Sequence, residues 1–175
     1  GSLCFSWARH LMVDEVYDKI KSEVGKIFWQ AIDDMKHGQD DDNKSAHSND
    51  WITLEHALEQ FSLKTTSYSM RLPLLFALQT SDVTVEKNIL EGIEMFSSGF
   101  GLAFQLHDDL LFFKTSQDIG KNSNSDAFNG NKIPIAILAR QLGSGEERNF
   151  IDRVWGKPTE LNPENLLKLK EIFKT

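Results

Sequence analysis

Hydrophobic positions recur along most of this chain at helical rather than strand intervals. In 13–35, Val13, Val16, Ile20, Val24, Ile27, Phe28, Ala31 and Met35 stand three or four residues apart, which predicts an amphipathic helix. A polar run over 36–50 breaks the pattern and reads as a loop. Thr53 is placed to cap a second helix through 54–70, with Glu55 in its first turn. Asp82 would cap the next, 83–113, which is apolar nearly all round and is therefore predicted to be the longest and most buried. A second polar loop, 114–132, leads to a short apolar helix over 133–142, where Pro134 is tolerable in the first turn. Asn162, Pro163 and Glu164 then supply a cap, a first-turn proline and an acid for a last helix to about Lys174. No run alternates as a strand would, and no segment repeats. The expected architecture is all-α, a bundle of mostly antiparallel helices forming one domain over 1–175, with 143–160 the weak candidate for a boundary.

Composition narrows the function classes. With 40% hydrophobic and 26% charged residues the chain is an ordinary globular one. A net charge of -7 argues against binding a nucleic-acid backbone, whose partners are basic. The single cysteine, Cys4, can form no internal disulfide. No secretory signal is legible in 1–12, and no apolar run approaches the ~20 residues of a membrane span. A cytoplasmic protein is expected.

Within the apolar helix, Asp108 and Asp109 stand side by side in "GLAFQLHDDLLFF" (101–113). Burying two carboxylates costs several kcal/mol each unless cations or donors compensate. On a helix Gln105 and Asp108 share a face, with Asp109 about 100° round. A helix end near water, or a lysine partner, would be a purely structural answer. Elsewhere Lys64 adjoins Thr65 and Thr66, with Tyr68 one turn on. Lys121 follows Gly120, and Lys132 follows Gly130-Asn131, both in the loop after the acidic helix. Carboxylates with lysines, hydroxyls and glycine turns suit a magnesium–phosphate site, in which Mg²⁺ takes one or two carboxylates plus phosphate oxygens and water. His107 reads as a helix-packing residue, Asp40 and Asp41 as loop charges. The tryptophans read as core or dimer packing and Met95 as core filler.

Four of these stretches together resemble one family. "FQLHDD" (104–109) resembles the second aspartate-rich motif of the trans-polyprenyl diphosphate synthases. "KTTSYSMRLP" (64–73) resembles their lysine-threonine motif, "GQDDD" (38–42) their Gly-Gln-x-x-Asp, and "GKNSNSDAFNGNK" (120–132) their loop of Gly-Lys, Asp and a late lysine. The order is the family's own, across roughly the C-terminal three-fifths of a member. The resemblance implies the isoprenoid-synthase helical bundle, truncated at its N-terminal side, and condensation of an allylic diphosphate with isopentenyl diphosphate. It implies Mg²⁺ on Asp108 and Asp109, and diphosphate held by Lys64 and Lys121 with Lys132 a third cation. Thr65 and Gln105 would line the reacting centre, with Tyr68 and Asp42 nearby. It also implies a dimer, of the chain with itself or with a homologous synthase subunit.

Two departures bear on activity. Phe112 stands where the family's second motif usually has its third aspartate. The first aspartate-rich motif is absent, and "GSLCFSWA" resembles the family's Gly-Asp-x-Leu segment with Ser2 replacing the aspartate. These favour a non-catalytic subunit that pairs with an active synthase, whereas Lys64, Gln105, Asp108, Asp109 and Lys121 favour a catalytic chain. A class I terpene cyclase ranks third, because "NSNSDAFNG" lacks the acidic end of that class's metal triad. The chain on its own is expected to be inactive or incomplete.

Overall fold

The computed structural model describes residues 18–81, 86–113 and 124–174. Helix α1 (Asp18–His47) leads to α2 (Leu54–Phe61), which continues without a break into a π-helical segment (Ser62–Arg71) and then α3 (Leu72–Thr80). Helix α4 (Lys87–Asp109) tightens into a 3₁₀ turn (Leu110–Phe113). The C-terminal part holds four short helices: α5 (Ser125–Asn129), α6 (Pro134–Leu142), α7 (Gly145–Val154) and α8 (Pro163–Ile172). The described residues contain no strand.

Local chemistry sets most boundaries where the pattern placed them. Thr53 Oγ1 accepts the His56 N–H at 3.2 Å, and Asn162 Oδ1 accepts the Asn165 N–H at 2.8 Å. Pro134 occupies the first turn of α6. The weak boundary at 143–160 holds instead a capped helix: Ser144 and Glu147 form a reciprocal capping box that opens α7.

The polar run 36–50 is helical as far as His47, contrary to the expected loop. Its side chains support the helix with one-turn pairs, Lys44 to Asp40 at 2.6 Å and Gln39 to Asn43 at 3.1 Å. Asp41, read as a loop charge, accepts from Gln60 Nε2 at 3.0 Å and lies 2.8 Å from His56 Nε2 on α2. The buried face here is made by Gly38 and Ser45 rather than by large apolar residues. A hydrophobic count therefore missed it.

Helix α4 corrects a second expectation. It is 23 residues long against 30 for α1, and it is the least covered of the long helices. Only Ser97, Gly101 and Asp109 are buried along it. Met95 is 77% exposed rather than core filler, and Phe96, Phe100 and Phe104 are each about half exposed. His107 is exposed too, rather than packed. The apolar circumference was real, but only one side of it meets the π-helical segment.

The main core lies in the C-terminal part. Phe112, Ala127, Ile133, Ala136, Ile151, Trp155, Leu169 and Phe173 belong to one buried cluster from the 3₁₀ turn and the four short helices. The N-terminal helices instead pack closely through small residues, among them Ala31, Ala57, Ser97 and Gly101.

Candidate functional site

The π-helical segment carries the lysine-threonine stretch, and two glycines bring its neighbours onto it. A Cβ on Gly38 of α1 would stand 2.7 Å from the Lys64 backbone nitrogen and 2.9 Å from Leu63 Cβ. That close crossing sets Asp42, one turn later, against Lys64: Nζ donates to Oδ2 at 2.6 Å. On the other side, a Cβ on Gly101 of α4 would run into the Thr66 side chain. One turn on, Gln105 Oε1 accepts from Thr65 Oγ1 at 3.0 Å. Any larger residue at 38 or 101 pushes these polar partners apart. Wide π turns recur at functional sites, and here one carries Lys64 and Thr65 between two helices.

Gln105 also bonds the Asp109 carboxylate. Asp109 is 4% exposed, and its Oδ2 has no hydrogen-bond partner. Burial above all, then the neighbouring Asp126 charge, pushes its pKa from an ordinary 3.8 to about 8. The Gln105 hydrogen bond opposes that rise, Asp108 adds to it, and Lys64 opposes it weakly. Burial also raises Asp126, against the hydrogen bond from Asn131 and with a push from Asp108. Asp126 is the acid of the 120–132 motif, to which the resemblance assigned no role. Its signal was the single acid in "NSNSDAFNG". Asp108 is half-buried.

The structure thus brings together Lys64 with Asp42, Thr65 with Gln105, and Asp109 with Gln105 and Asp126. It separates others. A cavity of about 590 Å³ is lined by Asp42, Lys64 and Lys132, yet Gln105, Asp108 and Asp109 do not line it. Lys132 is buried, its Nζ 4.8 Å from the centre of the Trp51 ring. Burial pushes its pKa down, with Asp152 opposing and Arg140 assisting. Tyr68 is 42% exposed and does not line the 590 Å³ cavity. Lys121 and Ser2 lie outside the described residues.

Phe112 does not face this acidic group. It is 1% exposed, with ring centroids 5.9 Å from Trp155 and 5.5 Å from Phe173. The position where a third aspartate was sought therefore belongs to the core.

Magnesium suits what is left, because it is a hard cation that takes carboxylate oxygens and retains water. The orphaned Asp109 Oδ2 is an oxygen donor without a partner, and Asp108 and Asp126 carry further carboxylates beside it. Among the described residues no three acid or imidazole groups converge closely enough to hold a metal by themselves. A cation here would need oxygens from a ligand or water as well.

The polyprenyl synthetase family model matches residues 1–173. A prenyl transferase of Cyanophora paradoxa is 31% identical over 154 residues, which cover 87% of this chain and 45% of that protein. The farnesyl pyrophosphate synthase of Saccharomyces cerevisiae is 32% identical over 114 residues, 64% of this chain and 31% of the yeast enzyme. The chain thus spans less than half the length of these curated relatives. In three dimensions it resembles the geranylgeranyl pyrophosphate synthase of Corynebacterium glutamicum, solved with isoprenyl diphosphate and magnesium. The TM-score is 0.86 at 21% identity, over 99% of this chain and 48% of that one. The all-α isoprenoid-synthase fold follows from that likeness, and the family-model match, which runs almost the full length, shows that this chain belongs to the polyprenyl synthetase family.

Proposed function

We propose that the chain supplies the second metal site and the diphosphate-binding lysines of a prenyltransferase that joins an allylic diphosphate to isopentenyl diphosphate. The observation that supports it most is the buried Asp109, with an orphaned oxygen, linked through Gln105 to Thr65 beside Lys64. Mg²⁺, when bound, would supply the charge that stabilises a departing diphosphate. Asp108 and Asp109 would hold it. Lys64, released from Asp42, would bind the diphosphate oxygens together with Lys121, and Lys132 would reach them from the 590 Å³ cavity. Thr65 and Gln105 present polar oxygens that stabilise a developing allylic cation. Tyr68 and Asp42 border the site. The family context and these retained side chains favour a catalytic chain over a purely accessory subunit.

Isothermal titration with inorganic pyrophosphate, with and without Mg²⁺, tests the reading. Binding should require Mg²⁺ and should fall by 10-fold or more in Asp108→Asn, the range typical for loss of groups that hold or orient a metal. Equal binding with and without the metal, or an unaffected variant, would sink it. Little condensation is expected from 1–175 alone.

The exposed row Phe96, Phe100 and Phe104 on α4 supports pairing with a second copy or a homologous subunit. Contiguous apolar surface of this kind marks contact sites. Light scattering at micromolar concentration should show a dimer, and Phe100→Glu should shift it toward monomer. A wild-type monomer would count against the pairing. No helix among the described residues is long and apolar enough to cross a membrane.

A further inference from the structure

Behind the acidic group runs a chain of contacts that the diphosphate reading does not use. Asn131 Nδ2 donates to Asp126 Oδ1 at 2.8 Å, and the Asn131 N–H reaches the Asp126 carbonyl at 3.0 Å. The Asn131 carbonyl in turn accepts from Trp155 Nε1 at 3.0 Å. Trp155 is 4% exposed and packs against Phe112, its centroid 5.9 Å away. The next residue tightens the same corner, because the Gly156 N–H donates to the Ala127 carbonyl at 2.8 Å. Gly130, at φ 78°, makes the left-handed turn that folds Asn131 back over Asp126.

The carboxylate held by this chain is no ordinary surface acid. It lies close enough to Asp108 and Asp109 to raise the proton affinity of Asp109, and Asp108 does the same to it. An independent sign of a missing ligand is Asp109 itself, more than nine-tenths buried with Oδ2 unpaired. A polar atom left so is costly unless something is meant to meet it.

We propose that Asn131, steadied by Trp155 and through it by Phe112, is a positioning residue that holds Asp126 toward the Asp108–Asp109 pair. Phe112 then serves the site from behind, as the packed base of the relay, rather than as an acid facing it. Since no three of these groups converge closely enough to share a cation directly, Asp126 contributes charge and hydrogen bonds to the water around it. This rests on the magnesium–diphosphate reading of the site.

The test uses the intact chain with Mg²⁺ and inorganic pyrophosphate, followed by titration calorimetry. Asn131→Ala and Asp126→Asn should each weaken Mg²⁺-dependent binding about 10-fold, the double variant no further than either alone. Trp155→Phe keeps the ring but loses the donor, and should weaken binding several-fold in the same direction. Raising the Mg²⁺ concentration should bring the pyrophosphate affinity of Asn131→Ala back toward wild type, which a merely structural loss would not allow. If Asp108→Asn loses binding while Asn131→Ala and Asp126→Asn do not, the positioning role is overturned and the site reading stands. If wild type shows no Mg²⁺-dependent binding, both fall.

Discussion

Phe112→Asp, the change that would complete the family's second motif, is expected to unfold the C-terminal core rather than to add a metal ligand. Phe112 is 1% exposed, among Phe113, Trp155 and Phe173, with Lys170 Nζ 5.2 Å from its ring centre. Removing a packed phenyl ring costs about 3–5 kcal/mol through lost transfer and the cavity left behind. Putting a carboxylate in its place adds several kcal/mol more, which Lys170 offsets only in part. The sum approaches the whole stability of a typical domain, about 5–15 kcal/mol. Thermal melts followed by circular dichroism should show loss of the cooperative transition. Phe112→Leu, which keeps an apolar side chain, should still melt cooperatively at a reduced temperature. A folded Phe112→Asp protein with tighter Mg²⁺ binding would show that position 112 faces the metal after all.

That contrast also explains how far the sequence could be read. Of the two acids in the second motif Asp109 is buried with an unpaired oxygen while Asp108 is only half-buried, and caps such as Thr53 and Asn162 stood where side-chain chemistry placed them. Motif spacing could say that position 112 departs from the family, but not that a phenyl ring there anchors the core. That depends on Trp155 and Phe173, distant in sequence. The same limit hid the helical nature of 36–47. Hydrophobic periodicity registers large apolar residues, whereas α1 meets the π-helical segment through Gly38, where close approach needs the smallest side chain. It failed in the opposite sense at α4, where Phe96, Phe100 and Phe104 suggest burial but stay half exposed. An apolar stripe records a surface to be covered, without saying by what. Asp126 was counted in the 120–132 motif but given no role, because its hydrogen bond from Asn131 and its closeness to Asp109 depend on how the loop folds.

In metal-free protein, Asp109→Asn should raise stability at alkaline pH and leave it nearly unchanged in acid. Burial first, then Asp126, pushes the folded-state pKa of Asp109 to about 8 from an ordinary 3.8. A folded pKa above the unfolded one means that the folded state holds its proton longer. This contribution is therefore fully present below about pH 4 and is lost as pH rises through 8. At 1.36 kcal/mol per unit, a shift of about four units corresponds to roughly 5 kcal/mol as an upper bound. Asparagine mimics the protonated carboxyl, still accepts from Gln105, and offers donors to Asp108 and Asp126 where Oδ2 had no partner. The melting temperature of the variant should exceed that of wild type by on the order of 10 °C at pH 8 to 9, with the gap closing toward pH 4. Mg²⁺ with pyrophosphate should reverse the order: wild type gains stability by binding, and the variant, lacking the charge, gains little. A gap independent of pH would mean that Asp109 is not held protonated by its surroundings. A gap that closes in acid but survives added Mg²⁺ and pyrophosphate would leave the buried charge real and detach it from the metal.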